Sequence, residues 1–398
     1  TVRQFSIAAV HAHSLRRTAA PLRLLFVFVI MISRTIRLLS SSIKKNTDPV
    51  RWGILGAGRI ASDYVKVMSV TDGAIASAIA ARSPQSATEF ARAHSMNDAT
   101  VHATCSDLFA DPNVDVVYIG TIADAHYELA RESLESNKAT VVEKPMGLSL
   151  GEVEGLVEVA RERNVFLMEG MWTRCFPAIH KLRQLVASSE VGPIIYASGD
   201  FGWAFPADQP DDRIWLPESG GVTLDIGMYI AQLGRIAFPN GTLRDVTATG
   251  TIKNGVDYTV SAVVRYDRPN DEDVGDGVLQ MTLTGAANTE ERCVLQGTKG
   301  RIILDGPSHV PQRLRVVRDA GREGDAEEVV YDYPLPEDPH GEWNFPGSIG
   351  FVHQIGEVGR AVREGRVECE SFTWEDSLEV ARIIDGILGQ VRGGKMER

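Results

Sequence analysis

The stretch Trp52-Gly53-Ile54-Leu55-Gly56-Ala57-Gly58-Arg59-Ile60-Ala61 decides the fold of this chain. It joins a short apolar strand pattern, Val50 to Leu55, to a glycine turn of the form Gly56-x-Gly58-x-x-Ala61 and then to a helical pattern. In such a turn the first glycine permits the sharp bend, the second lets the backbone approach a pyrophosphate, and the small third residue allows the helix to pack closely on the strand. We therefore predict a dinucleotide-binding Rossmann domain. The cofactor contacts predicted from this turn are Gly56, Gly58, Arg59 and Ile60.

The end of the second strand indicates which dinucleotide is bound. An enzyme that uses NAD places Asp or Glu there to hold the ribose hydroxyls. This chain has Arg82-Ser83 after the strand Ala74 to Ala81. Because a guanidinium binds a phosphate through two hydrogen bonds, we predict NADP as the cofactor, with Arg82 and Ser83 near its 2'-phosphate.

Two further buried strands predict where the chemistry occurs. Val114 to Gly120 is a nearly continuous apolar run that ends at Thr121, and Thr140-Val141-Val142 runs directly into Glu143-Lys144-Pro145. Alternating strands and helices favour a doubly wound parallel sheet, in which ligands meet the carboxyl ends of the strands. Lys144 is therefore expected at the reaction site.

After Glu190 the pattern changes from alternating strands and helices to a succession of strands. We predict an α+β domain with an open, mainly antiparallel sheet. Domain boundaries are predicted at residues 50–172 for the Rossmann domain and 173–398 for the second domain. The predicted strands are Ile194 to Trp203, Arg244 to Lys253, Thr259 to Asp267, Val278 to Thr284, Arg292 to Leu304, Arg313 to Arg318 and Glu328 to Tyr333. Two helices, Gly347 to Glu364 and Glu375 to Val391, are expected to pack back on the Rossmann domain.

The first 49 residues have the composition of a targeting segment or a disordered leader. They carry eight basic residues and one acidic residue, an apolar run from Leu24 to Ile32 and a serine cluster. This fits a mitochondrial or plastid presequence, whereas the short apolar run with basic flanks also fits a signal peptide or an anchor. If synthesis starts at Met31, an organelle is favoured; if the leader has no targeting function, the protein is cytoplasmic.

Composition excludes several classes of partner. The net charge of the chain is −12, although its leader is basic, so clustered cations for nucleic acid are not expected. No stretch reaches the ~18 apolar residues of a membrane span, so the part after the leader is not expected to be embedded in a membrane. The four cysteines make no metal-ligand pattern, and the acids between Asp267 and Gly277 lack calcium-loop spacing. No metal site is predicted.

The chain resembles the family of glucose-fructose oxidoreductase, inositol dehydrogenase and rhizopine-catabolism proteins. The resemblance starts from Glu143-Lys144-Pro145-Met146 and covers nearly all of residues 51–392. Two longer motifs, Met168 to Pro177 and Gly220 to Tyr229, resemble its dimeric dihydrodiol dehydrogenase branch, which also contains NADP-dependent D-xylose dehydrogenases. The resemblance implies a small-molecule substrate and a homodimer or larger homo-oligomer, with one face of the second sheet over the cofactor and the other commonly at the subunit interface.

The resemblance also implies roles for particular side chains. Lys144 would lie beside the nicotinamide and substrate, and Asp225 and Tyr229 would form a polar pair on one helix face, since residues four apart share a face. Further contacts with the cofactor would come from Thr121, His126 and Glu143. The substrate pocket would be lined by Trp172, Arg174 and Phe201, with Trp203 adding to its aromatic wall.

The chemistry of these side chains suits the oxidation of an alcohol. Tyr229 would accept the hydroxyl proton if the Lys144 ammonium lowered its pKa from ~10, and Asp225 would orient one of the two. Lys144 as the direct acid or base remains an alternative. The predicted function is an NADP-dependent dehydrogenase acting on a cyclic polyol, either a trans-1,2-dihydrodiol or an aldose such as D-xylose. The alternatives are an NAD-dependent glycosidase of the same fold and a non-catalytic sugar or nucleotide sensor.

Overall fold

Parallel strands form the first sheet, as expected for a doubly wound domain. The computed structural model describes residues 48–206, 209, 212–268, 275–319 and 327–393, so nearly all of the predicted leader lies outside the described residues. Within these residues the sheet has six strands in the order β3-β2-β1-β4-β5-β6, all neighbours being parallel. The strands are β1 (Val50–Leu55), β2 (Ala74–Ala80), β3 (Thr100–Val101), β4 (Val116–Ile119), β5 (Ala139–Val142) and β6 (Leu167–Glu169).

Helices cover both faces of this sheet, which explains why its central strands are apolar on both sides. They are α1 (Arg59–Met68), α2 (Pro84–Ala93), α3 (Cys105–Ala110), α4 (His126–Glu135) and α5 (Leu150–Arg163). Buried side chains of α1 and α2 share one hydrophobic cluster with Trp52 and Tyr118, whereas those of α3, α4 and α5 pack in a second cluster with Val117 and Val142. The doubly wound prediction is confirmed.

The second sheet has eight strands in the described residues, in the order β14-β13-β12-β11-β7-β10-β9-β8. Its strands are β7 (Ile194–Gly202), β8 (Thr242–Lys253), β9 (Val256–Asp267), β10 (Gly277–Thr284), β11 (Cys293–Gly297), β12 (Gly300–Leu304), β13 (Arg313–Arg318) and β14 (Glu327–Asp332). Neighbours are antiparallel except for β7 and β10, which run parallel. The mainly antiparallel sheet is therefore confirmed.

One predicted strand is wrong. The run Arg292 to Leu304 is not a single strand but the hairpin β11–β12, which turns at Thr298 and Lys299. Gly300 begins β12 with a φ of +150°, and a Cβ atom there would collide with the carbonyl oxygen of Val317. Apolar residues alternate on both sides of the turn, so both halves have the pattern of a strand. The sequence was therefore interpreted as one continuous strand.

Short helices follow β7 along the chain, whereas longer ones precede β7 and end the chain. The helices are α6 (Pro177–Ala187), α7 (Val222–Ile226), α8 (Met228–Ala231), α9 (Leu233–Ala237), α10 (Phe351–Arg363) and α11 (Trp374–Gly393). Helix α10 packs on α1, and α11 packs on α5 and also on β8 and β9. Both C-terminal helices therefore contact the parallel-sheet domain. In the described part of the chain, every helix is too short or too polar to cross a membrane.

Candidate active site

Lys144, Asp225 and Tyr229 come together where β5 ends. The ammonium nitrogen Nζ of Lys144 donates a hydrogen bond to the main-chain oxygen of Asp225 at 2.7 Å and lies 3.7 Å from its carboxylate oxygen Oδ1. The same nitrogen lies 5.3 Å from the ring centroid of Tyr229. Asp225 is on α7 and Tyr229 is on α8, and Gly227 between the two helices keeps a helical conformation. The four-residue spacing therefore places both side chains beside Lys144.

Two cations and one indole hold the Asp225 carboxylate. Nη1 of Arg213 donates to Oδ1 at 2.6 Å, and Nε1 of Trp203 donates to Oδ2 at 3.2 Å. Burial alone would raise the pKa of Asp225, but the charges of Arg213 and Lys144 outweigh it and lower that pKa to about 2. Asp225 is therefore ionised at neutral pH. Arg213 was missed in the sequence because no helical or strand spacing connects its loop to α7.

The pKa of Tyr229 moves in the direction opposite to our expectation. Burial raises it, the hydrogen bond from Trp172 opposes the rise, and the negative charges of Glu143 and Asp225 add to it. Nε1 of Trp172 donates to the Tyr229 hydroxyl oxygen at 3.0 Å. The expected phenolate is thus disfavoured, because the loss of hydration outweighs the nearby ammonium. Tyr229 is a neutral phenol whose proton is free to be donated.

The pKa of Lys144 is lowered. Burial is the main cause, the charge of Asp225 opposes it, and the positive charge of Arg213 lowers the pKa further. The neutral amine of Lys144 is therefore more favoured in this buried site than it is in water. The same surroundings keep Tyr229 protonated. When an environment separates two titratable groups in this way, it distinguishes the proton acceptor from the proton donor.

An aromatic wall lies beside Tyr229. The ring centroids of Phe201 and Tyr229 are 5.5 Å apart. Trp172, whose indole reaches the Tyr229 hydroxyl, stacks on Phe351 with centroids 4.4 Å apart. His309 stacks on Phe201 at 4.9 Å and lies 5.6 Å from the ring of Tyr229. The sequence indicated Trp172 and Phe201, but it gave no signal for His309 or Phe351, which come from distant segments.

Arg174 does not line the pocket with these residues, contrary to the expectation. Its side chain is only 3% exposed, and its Nε donates to the main-chain oxygen of Ser371 at 2.9 Å. Its Nη2 lies 3.3 Å from a carboxylate oxygen of Asp376, and the guanidinium lies over the ring of Phe372. A buried guanidinium needs acceptors; those of Arg174 are Ser371 and Asp376 around the start of α11 and, at 3.5 Å from Nη1, the main-chain oxygen of Gln232. Arg174 is therefore a structural link.

Glu143 and His126 support the segment that carries Lys144. The hydroxyl of Tyr118 donates to Oε1 of Glu143 at 2.8 Å, and burial raises the pKa of this carboxyl, opposed by the charge of Lys144 and the Tyr118 hydrogen bond. Nδ1 of His126 lies 2.7 Å from the main-chain oxygen of Pro145, and Nε2 lies 3.3 Å from that of Thr121. Burial lowers the pKa of His126, which these two carbonyls oppose. The contacts of Glu143, His126 and Thr121 with a cofactor stay predictions.

The glycine turn has the shape of a dinucleotide cradle. Gly56 has a φ of +114°, and a Cβ atom there would lie 2.7 Å from the main-chain oxygen of Gly120. A Cβ atom on Gly58 would meet only that oxygen, at 3.8 Å, so the fold itself leaves room beside Gly58. Gly58 caps α1 without a side-chain hydrogen bond, which leaves the amides of the first turn available to an anion. These residues fit a dinucleotide.

The remaining predicted cofactor contacts surround this cradle. Arg82 is exposed just beyond β2, and its guanidinium forms no hydrogen bond or ion pair with a described residue. The hydroxyl of Ser83 accepts a hydrogen bond from the amide of Ser86 and so caps α2. Arg59 is exposed at the start of α1 with its guanidinium 5.5 Å from the ring centroid of Phe345, and Ile60 is half-buried beside it.

A cavity of about 440 Å³ lies elsewhere, between α6 and α10. Its lining includes His180, His353, Glu357 and Arg360 and contains none of the predicted site residues. We take the surroundings of Lys144 as the candidate active site instead, because perturbed titratable groups and aromatic walls meet there at the carboxyl end of a parallel sheet.

Comparisons with known proteins identify the family of the chain. Residues 50–171 match the model of an oxidoreductase family with an NAD-binding Rossmann fold, and residues 179–303 match the GFO/IDH/MocA C-terminal domain. The chain is 32% identical over 343 residues to trans-1,2-dihydrobenzene-1,2-diol dehydrogenase of Sus scrofa. The aligned residues cover 85% of this chain and 96% of that protein. The Homo sapiens protein of the same name is 30% identical, with 85% of this chain and 96% of that protein covered.

Solved structures show the same fold. Levoglucosan dehydrogenase in complex with NADH and levoglucosan superposes with a TM-score of 0.74 at 19% identity, covering 87% of this chain and 98% of that one. A 3-ketoreductase from Actinomadura kijaniata in complex with NADP has a TM-score of 0.69 at 21% identity, also covering 87% and 98% of the two chains.

Proposed function

The chain belongs to the GFO/IDH/MocA oxidoreductase family, and on that premise we propose that it is an NADP-dependent dehydrogenase that oxidises a cyclic polyol. The candidate substrates are a trans-1,2-dihydrodiol, as the names of its relatives suggest, and an aldose of the D-xylose type. The observation that carries the proposal is the convergence of Lys144, Asp225 and Tyr229 where the parallel sheet meets the aromatic wall.

The cofactor would be held by the residues around the glycine turn. The amides after Gly58 would bind the pyrophosphate. The guanidinium of Arg82, which has no partner among the described residues, would bind a 2'-phosphate. When bound, the nicotinamide supplies a hydride acceptor for the carbon that loses its hydrogen. The chain's own residues must orient the substrate and remove the hydroxyl proton.

Lys144 and Tyr229 would divide the acid-base work. Neutral Lys144 would accept the proton of the reacting hydroxyl, because burial favours its amine form. The Tyr229 phenol would donate a hydrogen bond to the substrate oxygen, while its own oxygen accepts from Trp172. Asp225 would hold the resulting ammonium through its main-chain and carboxylate oxygens. Trp172 and Phe201 offer flat apolar surface to a ring-shaped substrate.

The outer face of the second sheet is the surface we propose for a homodimer. Val263 on β9 is 39% exposed, and Val330 on β14 is 47% exposed. In each strand the neighbours of the exposed valine along the chain are more buried than the valine itself. A second copy of the chain would cover this face, and sedimentation equilibrium of the full chain tests the oligomeric state.

Turnover is tested with the purified full chain, NADP or NAD, and a panel of trans-dihydrobenzenediol, D-xylose and D-glucose, followed by nicotinamide absorbance. We expect reduction of NADP with at least one of them. Tight cofactor binding without turnover would favour the sensor instead. With a p-nitrophenyl glycoside as a separate substrate, release of nitrophenol without net reduction of the cofactor would favour the glycosidase.

The acid-base roles are tested with Lys144→Met and Tyr229→Phe. Loss of a general acid-base group costs about 10²–10⁴-fold in rate, so Lys144→Met should lose at least a hundredfold in kcat and Tyr229→Phe less. Because the neutral amine is the active form, kcat/KM for oxidation should fall as the pH drops through the lowered pKa of Lys144. Tyr229→Phe should keep that pH dependence.

Lys181→Met is the matched control, since the Lys181 ammonium also lies over a tyrosine ring, 4.6 Å from that of Tyr331, but outside the site. It should leave kcat unchanged. Normal turnover in Lys144→Met would refute the proposed mechanism.

Cofactor specificity is tested with Arg82→Ala, with Arg92→Ala as the control, because Arg92 is an exposed arginine on α2, the helix that begins just after Arg82. Charge-assisted hydrogen bonds contribute about 1.5–3 kcal/mol each, so we expect the KM for NADP to rise about tenfold to a hundredfold and the KM for NAD to change little. Arg92→Ala should affect neither. Equal effects of Arg82→Ala on the two cofactors would contradict the assignment to NADP.

A further inference from the structure

A histidine and a carboxylate form a second polar group in the pocket, apart from Lys144. Nδ1 of His309 and Oε2 of Glu291 are 2.5 Å apart. The imidazole stacks on Phe201, and its centroid lies 5.6 Å from that of the Tyr229 ring. The Lys144 ammonium lies 5.3 Å from the same Tyr229 centroid. His309 and Lys144 therefore neighbour the same tyrosine, and one small ring-shaped molecule can contact both.

The backbone at Glu291 is strained, which is unusual for its residue type. Its φ of +55° lies in the left-handed region, where a residue with a long side chain is disfavoured by about 1 kcal/mol or more. Neighbouring contacts hold it there: its amide donates to a carboxylate oxygen of Asp200 at 3.1 Å, and its main-chain oxygen accepts from the amide of Ser308. A strained residue that presents its carboxylate to a pocket histidine indicates a functional constraint rather than simple packing.

The hydrogen bond to Glu291 leaves the other ring nitrogen of His309 available. A carboxylate at Nδ1 selects the tautomer or charge state that has a proton on that nitrogen. No described residue hydrogen-bonds Nε2, and the side chain keeps 22% of its surface exposed. The aromatic rings of Phe201, Tyr229 and Trp172 lie around the imidazole, with centroids 4.9, 5.6 and 6.4 Å away. Nε2 of His309 is thus a polar atom on an otherwise aromatic surface.

We propose that the His309–Glu291 pair binds a substrate hydroxyl other than the one that is oxidised, and that it selects a polyhydroxylated ring over a hydrocarbon dihydrodiol. This inference rests on the proposed function and names the substrate class of the same site. A dihydrodiol carries its two hydroxyls on adjacent carbons, so the part of its ring that lies away from Lys144 is hydrocarbon. An aldose in its cyclic form presents hydroxyls there as well.

The selectivity follows from the cost of leaving a polar group unpaired. A site that is built to hydrogen-bond a hydroxyl rejects an analogue without it strongly, by as much as about 10⁴–10⁵-fold when the site is fully buried. His309 keeps some contact with water, so we expect a smaller preference, about tenfold to a hundredfold in kcat/KM. Wild-type protein should therefore use D-xylose more efficiently than trans-dihydrobenzenediol.

The test compares wild type with His309→Phe, which keeps the stacking on Phe201 and removes the polar nitrogens. The ratio of kcat/KM for D-xylose to that for trans-dihydrobenzenediol should fall at least tenfold. His353→Phe is the matched control, because His353 also packs against a phenylalanine, with its centroid 5.1 Å from that of Phe176, outside the pocket. It should leave the ratio unchanged.

Glu291 is a positioning residue, and two variants separate its role from general stability. Glu291→Gly removes the carboxylate and also relieves the backbone strain, so the melting temperature should not fall while the substrate ratio drops severalfold. Glu291→Gln keeps an acceptor for Nδ1 and should retain most of the ratio. A purely structural role predicts the opposite, a changed melting temperature with a constant ratio.

The outcomes distinguish this inference from the proposed function. Turnover of both substrates with a ratio that His309→Phe does not alter, or a wild type that prefers the dihydrodiol, overturns the inference and leaves the dehydrogenase in place. Absence of turnover with every substrate overturns the proposed function and the inference together.

Discussion

At the scale of single residues, Asp225 is the charge on which the arrangement of the site depends. It is buried, and it accepts hydrogen bonds from Arg213, Trp203 and Lys144. A buried carboxylate is tolerated only when it is paired. Because Arg213 also pairs with the Asp225 carboxylate, Lys144 is not its only counter-ion. The carboxylate stays paired when Lys144 loses its proton.

The low pKa of Asp225 predicts a pH-dependent contribution to stability. The folded pKa of about 2 lies below the ordinary value of 3.8, so the contribution is present above pH ~4 and is lost as the pH falls through the folded pKa. A difference of this size corresponds to about 2 kcal/mol in full, of which about 1 kcal/mol is lost between pH 5 and pH 3. Urea unfolding at both pH values should show this loss in wild type but not in Asp225→Asn.

Asp245→Asn provides the comparison, because Asp245 forms its ion pairs at the surface with Arg244 and Arg265. It should follow wild type closely, since exposed ion pairs contribute little. If the pH dependence of Asp225→Asn matched that of wild type, the pairing of Asp225 would not be the source of the effect.

At the scale of elements, the turn between β1 and α1 contains two glycines that are needed for different reasons. Gly56 is required by the fold, because its φ is positive and Gly120 lies against it. Gly58 is not required by any close contact within the described protein. The β1–α1 turn therefore offers the space beside Gly58 to the proposed dinucleotide.

Alanine at each glycine should therefore have different effects. Gly56→Ala should lower the free energy of unfolding by about 1–3 kcal/mol, because it combines backbone strain with a steric clash. Gly58→Ala should change stability by less than about 1 kcal/mol, yet weaken NADP binding at least tenfold because a methyl group would occupy the cradle. Thermal unfolding and fluorescence titration with NADPH would measure the two effects. Normal cofactor binding by Gly58→Ala would show that the pyrophosphate does not approach this position.

At the scale of the whole molecule, Arg174 connects the turn that carries Trp172 to the start of α11. Its partners Ser371 and Asp376 lie about two hundred residues away along the chain. Burial lowers the pKa of Arg174, opposed mainly by the charge of Asp376. The link therefore joins the aromatic wall to the C-terminal helix that packs on both sheets.

Removing this link should reduce stability rather than substrate binding. Breaking a buried ion pair on one side costs about 3–5 kcal/mol, so Arg174→Met should shift the urea midpoint strongly and change the KM for substrate less than about threefold. Arg183→Met is the control, since Arg183 makes an exposed hydrogen bond to Glu370. A large change in the KM for substrate with unaltered stability would instead support the original prediction that Arg174 lines the substrate pocket.

The sequence by itself determined the Rossmann turn and the change from a parallel sheet to a mainly antiparallel one, because these depend on local patterns of apolar residues and glycine turns. Its motifs also carried the family resemblance from which Lys144, Asp225, Tyr229, Trp172 and Phe201 were predicted as site residues. The sequence did not determine the β11–β12 hairpin, because both halves share one alternation and the deciding contact with Val317 is made across the sheet.

Only the tertiary structure decided the electrostatics and the far side of the pocket. It placed Arg213 on Asp225, His309 and its partner Glu291 beside Tyr229, and Arg174 in the interior. It also set the direction of the Tyr229 pKa, which depends on burial more than on the nearby ammonium. The physical reason is that hydration and charge depend on every group packed around a side chain, and most of those groups come from distant parts of the chain.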